Sequence, residues 1–230
     1  MTTSNIYSYQ LTRDELITAS LRKLGVISEG QTPTAQNLAD GQVALNSTLA
    51  QLRAVGMPLW SRAEYTFTPT TSTYTIGTGY TLNTPYPVKL LQAVRRENGA
   101  NIPMEIEGRE DFNIYPTSSG GSPLKVNYQQ FVNYGIISFW PSPSATNTST
   151  VTLVYQRPFQ FFTASGQTLD FPEEWYNAII YSVAVLLAPE WGVPLPDRQV
   201  LKSEAKDYIE TAQMTGQEAG SFFVSPTRNY

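Results

Sequence analysis

The densest group of ionisable side chains in this 230-residue chain is Glu105, Glu107, Glu110 and Asp111. Two carboxylates facing each other across a cleft can cleave a glycosidic bond, one as acid and the other as base or nucleophile. Strand alternation would place Glu105 and Glu107 side by side on one face, not opposed across a gap. Like charges at a strand end are ordinarily solvated, and no second carboxylate group stands ready to face them. Tyr128, Phe131, Tyr134, Phe139 and Trp140 have the flat faces that stack on sugars, although such side chains more often build cores and interfaces. The chain has neither histidine nor cysteine. That removes the commonest general base, the thiolate nucleophile, disulfides and thiolate metal sites. No enzyme activity, cofactor or metal is therefore expected.

The elements that would carry these residues are organised around Phe171 to Gly192, FPEEWYNAIIYSVAVLLAPEWG. Pro172 suits a first helical position, and Glu173 and Glu174 suit the positive end of the helix dipole. Trp175, Tyr176, Ile179, Ile180, Val183, Ala184, Leu186 and Leu187 fall on almost every side. Such a helix is buried in a core or spans a membrane, and this run is shorter than the roughly 20 residues a span needs. We read it as the central core helix, ending at Ala188 because Pro189 disfavours the α conformation before it.

Two helices precede it. Thr12 and Glu15 form a capping-box pattern, Leu16, Ile17, Ser20, Leu21 and Leu24 follow at helical spacing, and Gly25-Val26 fits a Schellman end. A second helix is expected from Thr32-Pro33, with Pro33 at its first position, Leu38, Leu45, Leu49 and Leu52 as its stripe, and Gly56 as its stop. From Ser61 to Arg157 helical spacing gives way to alternation in Glu64–Thr68, Thr73–Ile76, Val88–Val94, Leu124–Gln129, Ile136–Trp140 and Val151–Tyr155. Turn signals separate these runs. Asn98-Gly99 is the clearest, since a type I′ hairpin wants both residues at positive φ. Gly108 to Asn113 has room for one short helix.

After the core helix, Gly192 to Pro196 reads as a stiff connector, and Asp197 as the N-cap of a last helix. Val200, Leu201, Ala205, Tyr208, Ile209 and Ala212 form that helix's apolar face, and Gly216 ends it. The expected fold class is α+β: a helical bundle made by the N- and C-terminal halves, with an inserted antiparallel β domain, sandwich or barrel-like. Its parts are a helical hairpin (1–60), the β domain (61–160), the C-terminal helices (161–215) and a tail (216–230). The tail holds Phe222, Phe223, Val224, Pro226 and Tyr230, the candidate partner-binding residues. Two adjacent phenylalanines in a polar tail either fold back or dock on a partner.

The net charge is −4, against a dedicated nucleic-acid binder. The deficit lies in residues 158–230, which hold four basic and nine acidic residues. That is either a solvated helix surface or a surface that must not stick to DNA. The N-terminus MTTSNIYSYQ has no basic and apolar signal-peptide regions, so a soluble protein made in a cytoplasm is expected.

The segment Leu16-Ile17-Thr18-Ala19-Ser20-Leu21-Arg22-Lys23-Leu24-Gly25-Val26 resembles the opening of the head-to-tail adaptor proteins of short-tailed bacteriophages, also called packaged-DNA stabilisation or tail accessory proteins. Phe171 to Ala178 and Leu187 to Gly192 are similar to that family's second signature. The order of helical hairpin, β insertion with Trp-Pro-x-Pro at Trp140 to Pro143, two helices and tail is also similar. The smallest members are nearly all helical, so the large β domain is a departure. The resemblance implies a structural virion protein at the head–tail junction, a ring of typically twelve copies under the portal. It implies portal and tail or nozzle proteins as partners, and DNA passing through the channel without sequence-specific binding. The competing reading is a carbohydrate-binding or lytic tail component acting through the β domain.

Overall fold

The computed structural model describes residues 5, 9–28, 30–54, 61–116 and 120–215. They form five α-helices and seven strands, in two compact units. One unit comprises the described residues of 1–60 and 160–230, the other residues 61–159.

In the helical unit, α1 is Arg13–Lys23, α2 Ala35–Ala54, α4 Tyr176–Leu187 and α5 Leu195–Thr215. The capping box on α1 forms as its sequence predicts: the Thr12 N–H donates to Glu15 Oε2 (2.8 Å), and the Glu15 N–H to Thr12 Oγ1 (3.4 Å). At the other end Gly25 has φ +70°, its N–H donates to Arg22 O, and the Val26 N–H to Leu21 O. That is the Schellman closure.

The second helix starts later than expected. Thr34, not Pro33, marks its entry: Thr34 Oγ1 accepts the Asn37 N–H (3.2 Å), and Thr34 O the Leu38 N–H. A hydroxyl that satisfies an orphan donor outweighs proline's preset φ. The expected stop at Gly56 lies outside the described residues. Gly41 is where α1 and α2 meet; a Cβ there would stand 2.2 Å from Ile17 Cγ2.

The core helix is α4, packed against α1, α2 and α5. Ala178, Ile179, Val183, Ala184 and Leu187 are buried. Pro172 caps a 3₁₀ turn over Glu173–Trp175 that leads into the helix. The helix ends where expected, with Leu187 its last residue and Ala188 its C-cap, but the expected reason is corrected: Ala188 keeps α dihedrals before Pro189. The chain makes one further turn and closes with Gly192 (φ +65°) donating to Pro189 O and Val193 to Ala188 O. α5 then begins at Leu195, inside the expected connector. Asp197 lies in its first turn and is not its N-cap. Pro196 fits there because first-turn N–H groups have no intrahelical partner. Val200, expected on the apolar face, is exposed.

Asn46 pins the stretch that leads back into the helical unit onto α2. Its side-chain amide donates to Phe162 O and accepts the Phe162 N–H, both at 3.0 Å.

In the second unit the strands are β1 Arg62–Phe67, β2 Thr73–Ile76, β3 Lys89–Glu97, β4 Ala100–Glu107, β5 Lys125–Gln130, β6 Gly135–Trp140 and β7 Thr150–Gln156. The short helix α3 is Arg109–Phe112. Asn98 (φ +50°) and Gly99 (φ +81°) make the β3–β4 hairpin turn. Of the expected sandwich or barrel-like alternatives, the structure shows the second in open form, one curled sheet, a half-barrel, ordered β1-β7-β3-β4-β5-β6-β2. Curling lets a single sheet bury one face: Ile76 from one end and Leu153 from the other share a core with Met104, Val126 and Ile137. The sheet is also not wholly antiparallel, because β4 and β5 run parallel. The connection between them carries α3 and is long enough for the crossover that a parallel pair requires.

Candidate partner-binding surfaces

The carboxylate group is not a free pair. Parallel pairing sets Glu105 beside Lys125 and Glu107 beside Asn127. Lys125 Nζ then bridges both acids, 2.8 Å from Glu105 Oε2 and in a short contact with Glu107 Oε1. It also donates to the Tyr115 hydroxyl at 2.8 Å and lies 4.8 Å from the Tyr115 ring centre. The hydrogen bond from Lys125 holds the Glu107 carboxyl below the usual carboxylate range, and burial only partly opposes it. Hydrogen bonds that Lys125 donates to Glu105 and then to Glu107 push its ammonium well above its ordinary value. A carboxylate held ionised by an ammonium cannot serve as a general acid near neutrality. Glu110 and Asp111 ride on α3 and do not join the bridge. The expectation of solvated carboxylates holds for Glu105, whose side chain is 73% exposed, and is corrected for Glu107, which is only 14% exposed.

The five aromatics picked from the sequence separate into distinct places. Phe139 is in the sheet core, and Tyr128 packs against it with its hydroxyl donating to Pro87 O. Phe131 and Tyr134 stack at 5.1 Å across the β5–β6 turn, where Val132 is 83% exposed. Trp140 stacks on Tyr115 at 4.5 Å, and its indole N–H donates to Pro116 O. No continuous sugar platform results. A cleft of about 240 Å³ does lie between α3 and the sheet, lined by Phe112, Tyr115, Trp140, Asn113 and Ser138 among others.

The helical unit offers a wider groove, about 770 Å³, between α1 and the start of α4. Tyr9, Arg22, Pro33, Leu38, Tyr176 and Ile180 line it, with Asp14, Glu15 and Glu173 among its acids. The Tyr9 N–H donates to Glu173 Oε2 at 2.9 Å. This mixed, open surface suits a polypeptide better than a small ligand. The candidate docking residues Phe222, Phe223, Val224, Pro226 and Tyr230 lie outside the described residues.

Sequence reasoning did not find the Lys125 bridge, because it depends on a parallel register set by a crossover. It set Glu105 and Glu107 on a strand after the Asn98-Gly99 turn but did not mark out that strand's extent, Ala100–Glu107. Proline at 103 and glutamates at 105 and 107 dilute the strand composition there, although they occupy positions that sheet pairing tolerates.

Among the described residues no helix is long and apolar enough to cross a membrane. No curated protein matches the chain. One family model, described as SU10 adaptor protein, matches residues 11–222, from the start of α1 through both units and beyond α5. The chain belongs to the SU10 adaptor protein family, whose name is that of a phage structural adaptor, in agreement with the resemblance read from its helical segments.

Proposed function

We propose that the protein is the head-to-tail adaptor of a bacteriophage virion. It assembles as a ring, twelve copies by the resemblance, beneath the portal. There it extends the DNA channel and gives the tail or nozzle protein a platform. The observation that carries this reading is the family match over residues 11–222. The terminal halves act together as one helical bundle, with α4 at its centre, while residues 61–160 form a separate β part. The excess of acidic residues in 158–230 suits a conduit, because phosphates are attracted by lysine and arginine. Assembly takes place in the host cytoplasm, without membrane or cofactor. Residues 216–230 dock on a neighbour or on the portal through Phe222, Phe223, Val224, Pro226 and Tyr230. Two phenyl groups, each burying about 150–250 Å², are enough to anchor such a segment.

Electron microscopy of the purified protein, alone and mixed with portal, tests the reading. Rings alone, or rings seated on portal, are the expected result. A monomer that ignores the portal would remove the adaptor role. The carbohydrate or lytic alternative predicts sugar binding by a monomer. The Lys125 bridge speaks against Glu105 and Glu107 as its catalytic pair.

A further inference from the structure

We propose that β1, the open edge of the sheet, receives residues 221–225 of a second copy as an added strand. The inference rests on the ring reading and names the contact that closes the ring. β1 stands at one end of the strand order and pairs on one side only, with β7. The Arg157 N–H donates to Ser61 O at 2.7 Å, which makes that opposed pair a hydrogen-bonded one. Antiparallel pairs alternate. Ala63, Tyr65 and Phe67 therefore turn their backbone groups to β7, and Arg62, Glu64 and Thr66 turn theirs outward. Among the described residues, no hydrogen bond reaches those outward groups. All three side chains are exposed.

The other edge is treated differently. On β2, Thr75 O accepts the Leu82 N–H (3.0 Å) and Thr73 O accepts the Thr71 hydroxyl (3.2 Å). Among the described residues the sheet thus has one capped edge and one open edge. Phe67 meets Tyr74 of β2 at 5.1 Å, so the free stretch of β1 lies toward Arg62 and Glu64. An uncapped edge without proline or glycine is a template for another strand.

The chain continues for fifteen residues past Thr215, and Ser221 lies six residues on, a reach of up to about 20 Å when extended. Within that tail, Ser221-Phe222-Phe223-Val224-Ser225 is an uncharged run of strand composition bounded by Gly220 and Pro226. Its length matches the free edge, and proline at its end stops further pairing. Phe222 and Val224 share one face of such a strand. They would extend the half-buried row of Ala63, Tyr65 and Phe67, which packs on the sheet core. Donor and acceptor are different surfaces, so the contact is head-to-tail and repeats around a closed ring.

The absence of native cysteine makes the test direct. Full-length Glu64→Cys and Ser225→Cys proteins are mixed under assembling conditions and treated with a short bismaleimide. A covalent dimer in the mixture, absent from either protein alone, is the expected result. In a second arm, Glu64→Pro removes an outward N–H that β7 does not use. It should keep the wild-type melting temperature and weaken assembly at least tenfold. A doubly substituted Glu64→Cys/Ser225→Cys chain that cross-links only within itself, or a Ser225→Cys protein that cross-links only to portal, overturns the second copy as donor. Rings that form normally without any cross-link, and with Glu64→Pro, overturn the edge contact and leave the ring reading standing. A wild-type protein that never assembles removes the ring reading, while the dimer cross-link still decides the edge contact.

Discussion

Lys125 is the residue on which the β unit's ionised groups converge. Replacing it with methionine leaves the Glu107 carboxylate without its ammonium, and Glu107 Oε2 is already buried without a partner. We expect Lys125→Met to lower the urea midpoint at neutral pH, and the double variant Lys125→Met/Glu107→Gln to recover part of the loss. The pH dependence has a definite sign. The folded Glu107 pKa lies below its ordinary value of 4.5, so its contribution is present above that pH and is lost as pH falls through the folded pKa. The folded Lys125 pKa lies above its ordinary 10.5, so its contribution is complete below that pH. Urea midpoints measured between about pH 6 and pH 3 should therefore fall more steeply for wild type than for Lys125→Met. Parallel acid profiles would show that the bridge does not contribute.

At the scale of elements, the α1–α2 crossing depends on a missing side chain. A methyl group at position 41 would stand 2.2 Å from Ile17 Cγ2, and Ile17 is fully buried. We expect Gly41→Ala to cost about 1–3 kcal/mol, despite alanine's better helix propensity. Chemical denaturation measures it, and a stabilised Gly41→Ala would mean that the helices do not approach so closely. α4 gives a harsher test. Ile180 is buried on its groove-facing side, and Ile180→Asp places an unpaired carboxylate there at a cost of several kcal/mol, roughly the whole stability of a marginal domain. Loss of the cooperative melt is expected; an unchanged melting temperature would displace α4 from the core.

For the whole molecule, the division into two units makes a separable prediction. The described residues of 1–60 and 160–230 form one compact unit although almost a hundred residues intervene. Replacing residues 61–157 with a short flexible linker should leave helical circular dichroism and a cooperative melt. A soluble product with no helical signal would mean that the helical unit depends on the β unit. The same cut removes β1, so under the edge-strand proposal this protein should fold but not close into rings. Sedimentation velocity distinguishes the two properties in one preparation.

Local chemistry alone determined much of this protein. The α1 capping box, the Gly25 closure, the Asn98-Gly99 turn, the burial of α4 and six of the seven strand positions depend on neighbours within a few residues, and they are legible in sequence. The family resemblance rested on the same local segments. Helix starts were less legible. At Thr34 and Leu195 competing cues lie within three residues, and small differences in capping decide between them. Tertiary structure alone decided the rest. Whether one sheet curls or two sheets stack depends on how strands far apart in sequence share a core. The parallel β4–β5 register depends on the path of a crossover, and that register turns Glu105 and Glu107 from a candidate acid pair into the two arms of a lysine bridge. The open β1 edge is likewise a property of strand order, because no single strand's sequence states which of its two sides is left without a neighbour.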